Sequence, residues 1–318
     1  MLLLTAQIFL SLLFLVGSAE ILINSSSKFA RKIGISPLII GMTIVALGTS
    51  LPELAVSLAA IAEKQPEIAI TNLIGSNIAN ITLILGIAIL GGNLRMGTTK
   101  TQINNLVLFF VTILFVLACL LFENIPNFLG VFWILVYLAF LVWGFLAGVH
   151  GREEEDKRWF EKEVLKSKNE KFWNILLLPL GIGGLILSGD FFVKKVALLA
   201  KLLNISQSFL GLTLVALGTS LPELATSVAG VFKKEAKLVV GNILGSNISN
   251  LFFIGGVIST VAPVSFKSLG TIFFLLASML LGFLIIILNK GRVIGRVWGF
   301  FLSLFYFFWL LCLFKKVV

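Results

Sequence analysis

Histidine, cysteine and charged residues are all scarce in this chain of 318 residues. It has one histidine, His150, and two cysteines, Cys119 and Cys312, each alone in an apolar stretch. Isolated cysteines exclude a disulfide framework and a Cys/His metal cluster as the basis of the fold. His150 lies beside the charged middle of the chain, which argues against a histidine proton relay or catalytic dyad in the membrane. Charged residues make up 13% of the chain, about half of their share in soluble domains.

Apolar residues are correspondingly abundant, at 58% of the chain, and the mean hydropathy is +1.06. These values predict an integral membrane protein. The apolar runs are about 20 residues long, which is the length of a spanning helix and not of a barrel strand. The first run lacks the basic start of a signal peptide, so we predict that it is retained as a first span. The net charge of +10 fits an excess of Lys and Arg in cytoplasmic loops and does not call for nucleic acid as a partner.

The apolar runs predict ten transmembrane helices in two groups of five. They lie at 3–24, 37–63, 67–91, 103–122, 127–149, 173–193, 207–233, 237–262, 268–289 and 293–314. The segment between the groups is dense in charged residues and too short to bury a core of its own, so we interpret it as a solvated linker. The predicted organisation is a first five-helix repeat at 1–150, a linker at 151–171 and a second five-helix repeat at 172–318.

The distribution of positive charge predicts the orientation in the membrane. Most of the 25 Lys and Arg residues fall in loops on the same side as the central linker, and loops of that kind are usually cytoplasmic. We therefore expect a multi-pass protein of the cell (inner) membrane, with the linker in the cytoplasm and both termini outside.

Two polar motifs lie within apolar runs, and both occur twice. Gly-Thr-Ser-Leu-Pro-Glu occupies 48–53 and again 218–223, and Gly-Ser-Asn-Ile occupies 75–78 and again 245–248. The offset is 170 residues in both cases, and 22 of the 40 positions in the segment 41–80 are identical in its copy. Because each half has an odd number of spans, the second half enters the membrane in the opposite sense. Substrate sites of such inverted repeats lie near the membrane midplane, where the halves meet.

The first motif places Glu53 and Glu223 in the central part of the second and seventh spans. An ionisable side chain at that depth is costly and is usually functional. The proline before each glutamate cannot continue the helical hydrogen-bond ladder, so each span should break into two half-helices. The break should leave upstream carbonyls, including that of Ala46, unpaired and able to bind cations. The alternative is that Ser50 and Glu53 form only a capping box for the second half-helix.

The second motif should place polar side chains on one face of a helix. Ser76 and Asn80 are four residues apart, as are Ser246 and Asn250, so the members of each pair share a face. Packed against the broken spans, the two faces would complete a cage of oxygen atoms. The alternative is that they are only polar contacts between helices, with the glycine of the motif permitting close approach.

Two further pairs recur at the same offset of 170 residues. Asn72 and Asn242 could line the site, but they could equally satisfy helix ends. Glu20 and Asp190 fall near a membrane boundary, so we interpret them as solvated interfacial residues. A role in gating an ion path is the alternative, because ionisable groups within spans often mark such paths.

The potential ligands are all hard oxygen atoms: carboxylates, hydroxyls, amides and backbone carbonyls. Such a set favours Ca²⁺, Na⁺ or similar ions over zinc, copper or iron. Two carboxylates neutralise one Ca²⁺ or two Na⁺, whereas an empty site would carry two buried negative charges through the membrane. The change between inward and outward forms should then require a bound cation, which favours antiport over leak.

The paired motifs resemble the α-repeats of the sodium/calcium exchanger family, in the cation/Ca²⁺ antiporter superfamily, and particularly its short prokaryotic members. Proton/calcium exchangers of the superfamily usually carry a Gly-Asn-x-x-Glu motif instead. The resemblance covers both repeats, the ten-span plan and the central cytoplasmic loop. It implies an all-α integral membrane protein whose ten transmembrane helices form two five-helix inverted-topology repeats, with helices 2, 3, 7 and 8 broken.

The resemblance also implies a transport reaction and a set of ligands. The family exchanges several Na⁺ for one Ca²⁺ by alternating access, with the first and sixth spans sliding against the rest. Asn250 stands where the best-studied members have Asp, so stoichiometry and K⁺ dependence do not carry over. By position, the implied cation contacts are the side chains of Glu53, Glu223, Thr49, Thr219, Ser50, Ser220, Ser76, Ser246, Asn80 and Asn250 and the carbonyls of Ala46 and Ala216.

We therefore predict a secondary-active antiporter that exchanges Na⁺ for Ca²⁺, without a cofactor, as a monomeric transport unit in the lipid bilayer. Exchange of Ca²⁺ or Na⁺ for H⁺ is the alternative, since two glutamates in the membrane could also take protons. A cation channel would need no counter-ion. An enzyme is disfavoured because a nucleophile and base need partners that the spans lack.

Overall fold

The computed structural model describes residues 2–92, 94–96, 99–150, 173–202, 217–265 and 268–317, and it is almost entirely helical. The helices are α1 (Leu2–Ile33), α2 (Pro37–Ala62), α3 (Pro66–Gly91), α4 (Thr99–Leu121), α5 (Asn127–His150), α6 (Trp173–Leu202), α7 (Leu221–Phe232), α8 (Ala236–Val261), α9 (Leu269–Leu288) and α10 (Arg296–Val317). Two short strands, β1 (Arg95–Met96) and β2 (Arg292–Val293), pair antiparallel. The predicted linker at 151–171 and the first part of the predicted seventh span, 207–216, lie outside the described residues.

Nine of the described helices, all except α7, are long and apolar enough to cross a membrane. α1 and α6 are longer than the hydropathy predicts, because they run to Ile33 and Leu202 and not to 24 and 193. At 32 and 30 residues each is about 45 Å long or more, beyond the roughly 30 Å of the hydrocarbon core. The reason is that helical hydrogen bonds continue through the polar residues that end the apolar run.

The helix breaks predicted at the Leu-Pro-Glu motifs are confirmed. In α2 the α-helix stops at Thr49, Ser50 has φ −85° and ψ 4°, and the helix resumes at Leu51. Ser220 has nearly the same backbone angles, φ −86° and ψ 7°, immediately before α7 begins at Leu221. In both places the proline that follows has no N–H, so the carbonyl four residues upstream of it receives no helical hydrogen bond.

α3 and α8 are interrupted in a different way. Each changes to π-helical hydrogen bonding just after the Gly-Ser-Asn motif, at Asn80–Ile84 in α3 and at Ser249–Ile254 in α8, and then returns to α-helix. A third π-helical stretch, Gly41–Val45, lies in α2. The interruption is therefore a widened turn in a continuous helix. Turns of this kind are rare and are frequent at functional sites.

The two repeats interlock where α2 crosses α8. Gly41 and Gly241 lie at the crossing, and a Cβ atom on either would overlap a backbone carbonyl of the other helix. A Cβ atom on Gly245, one turn further along α8, would lie 2.8 Å from Cβ of Ala46. Glycine thus lets the two backbones touch at the level of the repeated motifs.

A second kind of glycine contact occurs twice, and each time it joins one repeat to the other. Gly86 of α3 meets Gly299 of α10, and Gly256 of α8 meets Gly130 of α5. In each pair a Cβ atom on one glycine would lie 2.6 to 2.9 Å from the carbonyl oxygen of the other. These four helices, with α4 and α9, contribute most of the main hydrophobic core, so α3 and α8 are held in a close-packed frame.

α1 and α6 pack chiefly on each other, with a smaller hydrophobic cluster that includes Leu22 and Leu185. Glu20 of α1 forms an ion pair with Lys233 at 3.4 Å, and Asp190 of α6 pairs with Lys194 at 2.7 Å. The carboxylate side chains are 49% and 57% exposed. Such exposure fits solvated interfacial residues, and exposed pairs of this kind contribute little to stability. The alternative role of Glu20 and Asp190 in gating stays a prediction.

Candidate cation-binding site

Glu53 and Glu223 each lie in the first turn after a helix break, and both are fully buried. Each carboxylate contacts the other repeat. Ser220 Oγ donates to Glu53 Oε1 at 3.2 Å, and Ser50 Oγ donates to Glu223 Oε1 at 3.3 Å. The inverted repeat therefore brings both glutamates into one site.

The two serines do not cap their own helices. In the described part of the chain, neither Ser50 nor Ser220 forms a side-chain hydrogen bond with the helix that follows it. Their hydroxyls are directed to the glutamate of the other repeat instead. A capping box alone therefore does not explain the Ser-x-x-Glu spacing.

Two threonines and two asparagines surround the carboxylates. Thr219 Oγ1 donates to Asn72 Oδ1 at 3.3 Å and lies 3.3 Å from Ser76 Oγ. In the equivalent contact with the repeats exchanged, Thr49 Oγ1 donates to Asn242 Oδ1 at 3.2 Å. All of these side chains are buried. Each threonine directly precedes the helix break of its own repeat. The start of each break therefore contacts the continuous helix, α3 or α8, of the other repeat.

A further polar contact joins α3 to α8 one helical turn beyond Ser76 and Asn242. Asn80 Nδ2 donates to Ser246 Oγ at 3.1 Å, and Ser246 Oγ donates to Ile243 O at 3.2 Å. Asn250, the counterpart of Asn80 in the repeat, is fully buried. Neither amide atom of Asn250 has a hydrogen-bond partner among the described residues.

Several buried oxygen atoms of these helices have no hydrogen-bond donor within the described ranges. They include Oε2 of Glu53 and of Glu223 and Oδ1 of Asn77, Asn80, Asn247 and Asn250. Leaving one buried acceptor unsatisfied costs about 1–3 kcal/mol, and more when the group is charged. Because all of these atoms are acceptors, further acceptors cannot stabilise them, whereas a cation can.

The chemistry of the site selects the kind of cation. The side chains offer carboxylate, hydroxyl and amide oxygens, which suit Ca²⁺, Na⁺ and similar hard ions. The described residues contain no group of three or more His, Cys, Asp or Glu that could hold a metal ion. Zinc, copper and iron, which favour imidazole or thiolate ligands, are therefore poor matches.

Most of the predicted ligands lie in this polar region. The hydrogen-bonded side chains are those of Glu53, Glu223, Thr49, Thr219, Ser50, Ser220, Ser76, Ser246 and Asn80, and Asn250 is buried nearby on α8. The prediction that the carbonyl of Ala46 is unpaired is wrong, because the helix continues to Thr49. That carbonyl accepts from Ser50 N at 3.1 Å and from Thr49 Oγ1 at 3.3 Å. Ala216 lies outside the described residues.

Sequence reasoning did not assign Asn72 and Asn242 to the site, yet both contact it. Asn72 also donates to Ser57 Oγ at 3.3 Å, so a serine one turn beyond Glu53 joins the same network. The only sequence signal for these residues is that Asn72 and Ser57 recur at the offset of 170 residues, as Asn242 and Ser227. Helix ends could have explained that recurrence equally well.

Comparisons with known proteins agree with this geometry. The family model described as sodium/calcium exchanger protein matches residues 3–146 and 173–315. The chain is 37% identical over 274 residues to inner membrane protein YrbG of Escherichia coli (strain K12), covering 83% of this chain and 81% of YrbG. It is 31% identical over 348 residues to sodium/calcium exchanger MaX1 of Methanosarcina acetivorans, covering 96% of this chain and 97% of MaX1.

A solved structure gives the same result. The sodium-calcium exchanger NCX_Mj, soaked with 10 mM Na⁺ and 10 mM Sr²⁺, matches with a TM-score of 0.82 and 29% sequence identity. The match covers 97% of this chain and 98% of that chain. The predicted fold class and the resemblance are thereby confirmed. This chain belongs to the sodium/calcium exchanger family of membrane transporters.

Proposed function

We propose that this protein is a secondary-active antiporter that exchanges Na⁺ for Ca²⁺ by alternating access. The observation that carries the proposal is the reciprocal pair of buried glutamates, each hydrogen-bonded to a serine of the other repeat. The names of two relatives support it, since MaX1 and NCX_Mj are both sodium/calcium exchangers.

The charge of the site supplies the coupling. Two carboxylates balance one Ca²⁺ or two Na⁺, so the two loaded forms are electrically alike. Without a cation, two like charges stay buried in the membrane, which is strongly unfavourable. The protein therefore changes access only when Ca²⁺ or Na⁺ is bound, and each ion crosses in exchange for the other.

The ions bind near the membrane midplane, between the two repeats. Glu53 and Glu223 provide the negative charge, and neutral oxygens complete the coordination that Ca²⁺ requires. Asn250 is an amide and adds no charge, so Na⁺ beyond the number that two carboxylates balance is held by neutral oxygens alone. The neutral ligands are the side chains of Thr49, Thr219, Ser50, Ser220, Ser76, Ser246, Asn80 and Asn250 and the carbonyls of Ala46 and Ala216. The carbonyl of Ala46 binds through the lone pair that its hydrogen bond from Ser50 N leaves.

One chain supplies both halves of this site, so the transport unit is a monomer in the lipid bilayer. No cofactor takes part, because the energy for moving one ion comes from the gradient of the other. The excess of Lys and Arg serves orientation in the membrane and needs no nucleic acid.

We expect opposite accessibility of two equivalent turns, because the repeats are inverted and the linker is cytoplasmic. Lys64 and Lys234 occupy the same position in the two repeats, are both exposed, and have φ of 59° and 61°. In a background without Cys119 and Cys312, Lys64→Cys should react with an impermeant maleimide in intact cells. Lys234→Cys should react only after the cell membrane is opened. Labelling of both turns from the same side would contradict the inverted topology.

The function is tested by flux into liposomes that contain the purified protein, with gradients of Na⁺, K⁺, H⁺ and Ca²⁺ imposed one at a time. An outward Na⁺ gradient should drive uptake of radioactive Ca²⁺, and a K⁺ or H⁺ gradient of the same size should not. Ca²⁺ should not enter the liposomes when they contain no counter-ion.

Other outcomes would support the other functions. Ca²⁺ uptake that does not depend on the Na⁺ gradient and is abolished by a protonophore would indicate Ca²⁺/H⁺ exchange. Na⁺ flux that depends on H⁺ and is indifferent to Ca²⁺ would indicate Na⁺/H⁺ exchange. Electrical current without any counter-ion would indicate a channel. Each of these results would overturn the proposal of Na⁺/Ca²⁺ exchange.

A further inference from the structure

Two buried asparagines accept hydrogen bonds from the two threonines of the site. Asn72, on α3, accepts a hydrogen bond from Thr219 of the other repeat at 3.3 Å. Asn242, on α8, accepts one from Thr49 at 3.2 Å. Both asparagines are at most 2% exposed, and the two contacts are related by the internal repeat.

The direction of these hydrogen bonds matters because a threonine hydroxyl has one proton and two lone pairs. An amide oxygen only accepts, so when it takes the proton of the threonine it leaves the lone pairs of Oγ1 for other contacts. The proton of Thr49 is also within reach of Ala46 O at 3.3 Å, a slightly longer contact than the 3.2 Å to Asn242 Oδ1. The carboxylate of Glu53 is also within hydrogen-bonding reach of Thr219, and that of Glu223 of Thr49, so each carboxylate competes with an asparagine for the threonine proton. A threonine proton that the asparagine holds is not given to the carboxylate, whose charge is then left for a cation.

The two asparagines are held differently. Asn72 Nδ2 donates to Glu53 O at 3.4 Å and to Ser57 Oγ at 3.3 Å, so its amide is fixed at both ends. Asn242 Nδ2 has no hydrogen-bond partner in the ranges that the structure describes. The contact with Thr49 is therefore the main polar contact of the Asn242 side chain, and Asn242 is the cleaner position for a test.

We propose that Asn72 and Asn242 are positioning residues, which hold the hydroxyls of Thr219 and Thr49 with their lone pairs towards the transported cation. They set the affinity for the ion without touching it. This inference rests on the proposed function, since it presumes that the threonines contact Ca²⁺ or Na⁺. It assigns to each repeat a residue that completes the ion site of the other.

Equilibrium binding of radioactive Ca²⁺ to the purified full chain tests the proposal. Asn242→Leu, which is nearly the same size and cannot accept a proton, should raise the dissociation constant about five- to tenfold, the factor that one net hydrogen bond contributes. Asn242→Asp, which keeps the acceptor oxygen, should bind Ca²⁺ at least as tightly as the unmodified protein. If the Asp variant binds as weakly as the Leu variant, the acceptor role is wrong.

A matched control separates positioning from general destabilisation. Asn105 is also a buried asparagine between helices, but its Nδ2 joins α4 to α9 by donating to Phe283 O at 3.1 Å, and neither helix carries a residue of the site. Asn105→Leu should lower the melting temperature while leaving the Ca²⁺ dissociation constant within about twofold, because the contact it loses does not involve the site. Equal weakening of binding by Asn105→Leu and Asn242→Leu would overturn the proposal.

A double-mutant cycle tests whether Asn242 changes Ca²⁺ affinity through Thr49. If Asn242 acts through the hydroxyl of Thr49, then Asn242→Leu should change Ca²⁺ affinity by less than about twofold once Thr49 is replaced by Val. Independent effects that multiply in the double variant would show that Asn242 does not act through Thr49. If Thr49→Val binds too weakly to measure, the cycle is run with Asn72 and Thr219.

The control for the proposed function is separate. Saturable Ca²⁺ binding by the unmodified protein that is lost in Glu53→Gln supports the ion site, whatever the asparagine variants do. If the unmodified protein binds no Ca²⁺, the proposed function fails. If it binds Ca²⁺ and the Asn242 variants are unaffected, only the positioning role fails.

Discussion

Replacing either buried glutamate by glutamine should lower Na⁺-driven Ca²⁺ flux by about a hundredfold or more, since disrupting a buried charge interaction costs about 3–5 kcal/mol. Glu53→Gln keeps the shape of the side chain and an oxygen that can accept from Ser220. It removes one of the two charges that balance Ca²⁺, so the bound divalent ion is left with an uncompensated charge in the membrane. Glu223→Gln should behave in the same way, because the two positions are equivalent in the repeat. The measurement is radioactive Ca²⁺ uptake into liposomes under an outward Na⁺ gradient.

The melting temperature distinguishes loss of the ion site from loss of the fold. Without Ca²⁺ or Na⁺, Glu53→Gln should melt no lower than the unmodified protein, because it removes one of two like charges that are buried together. Added Ca²⁺ should raise the melting temperature of the unmodified protein and not that of the variant. Glu63→Gln is the matched control, since Glu63 directly follows α2 and is exposed. Flux that persists in both Glu53→Gln and Glu223→Gln would contradict the site assignment.

The second large effect is expected where α2 crosses α8. Gly241→Ala should destabilise the protein by about 3 kcal/mol, because the added Cβ overlaps the carbonyl of Leu38 and backbone cannot move aside as a side chain can. Helix propensity favours alanine by about 1 kcal/mol, which offsets only part of that loss. The displaced helices would also widen the site at Gly245, so flux should fall even in the protein that still folds. Thermal melting and Ca²⁺ flux together measure both effects.

Gly183→Ala is the matched control for this substitution. Gly183 lies within α6, and a Cβ atom there would meet no atom of the described residues within 4 Å. Alanine at that position should be neutral or stabilise the protein by up to about 1 kcal/mol through helix propensity. Equal effects of Gly183→Ala and Gly241→Ala would contradict close backbone contact between the two repeats.

The fold was largely predictable because its determinants are local and repeated. Hydropathy alone predicts the spans, and the recurrence of Leu-Pro-Glu predicts the breaks at Ser50 and Ser220. The ends of α1 and α6 were not predictable in this way, because a helix can continue beyond the apolar run that hydropathy detects. Hydropathy does not predict the π-helical turns at Asn80–Ile84 and Ser249–Ile254, because such turns differ from α-helix in hydrogen bonding and not in composition.

The site was predictable in its residues but not in its contacts. The offset of the repeat identifies Glu53 and Glu223 as a pair, and their depth in the membrane predicts a function. The acceptors for the hydroxyls of Ser50 and Thr219 lie in the other repeat, and sequence spacing describes only contacts within one helix. For the same reason the spacing leaves a capping role for Ser50 open. The proline motif also predicts an unpaired carbonyl at Ala46, because it does not show that the helix continues to Thr49 and that Ser50 N donates to that carbonyl.

Competition between Ca²⁺ and Na⁺ at one shared site is the property from which coupled exchange follows. It is measured by equilibrium binding of radioactive Ca²⁺ to the purified protein at increasing Na⁺. We predict saturable binding of one Ca²⁺ per chain, displaced competitively and completely by Na⁺, and absent in Glu53→Gln. Binding of Ca²⁺ that Na⁺ cannot displace, or that survives the loss of the Glu53 charge, would contradict a single site shared by both ions.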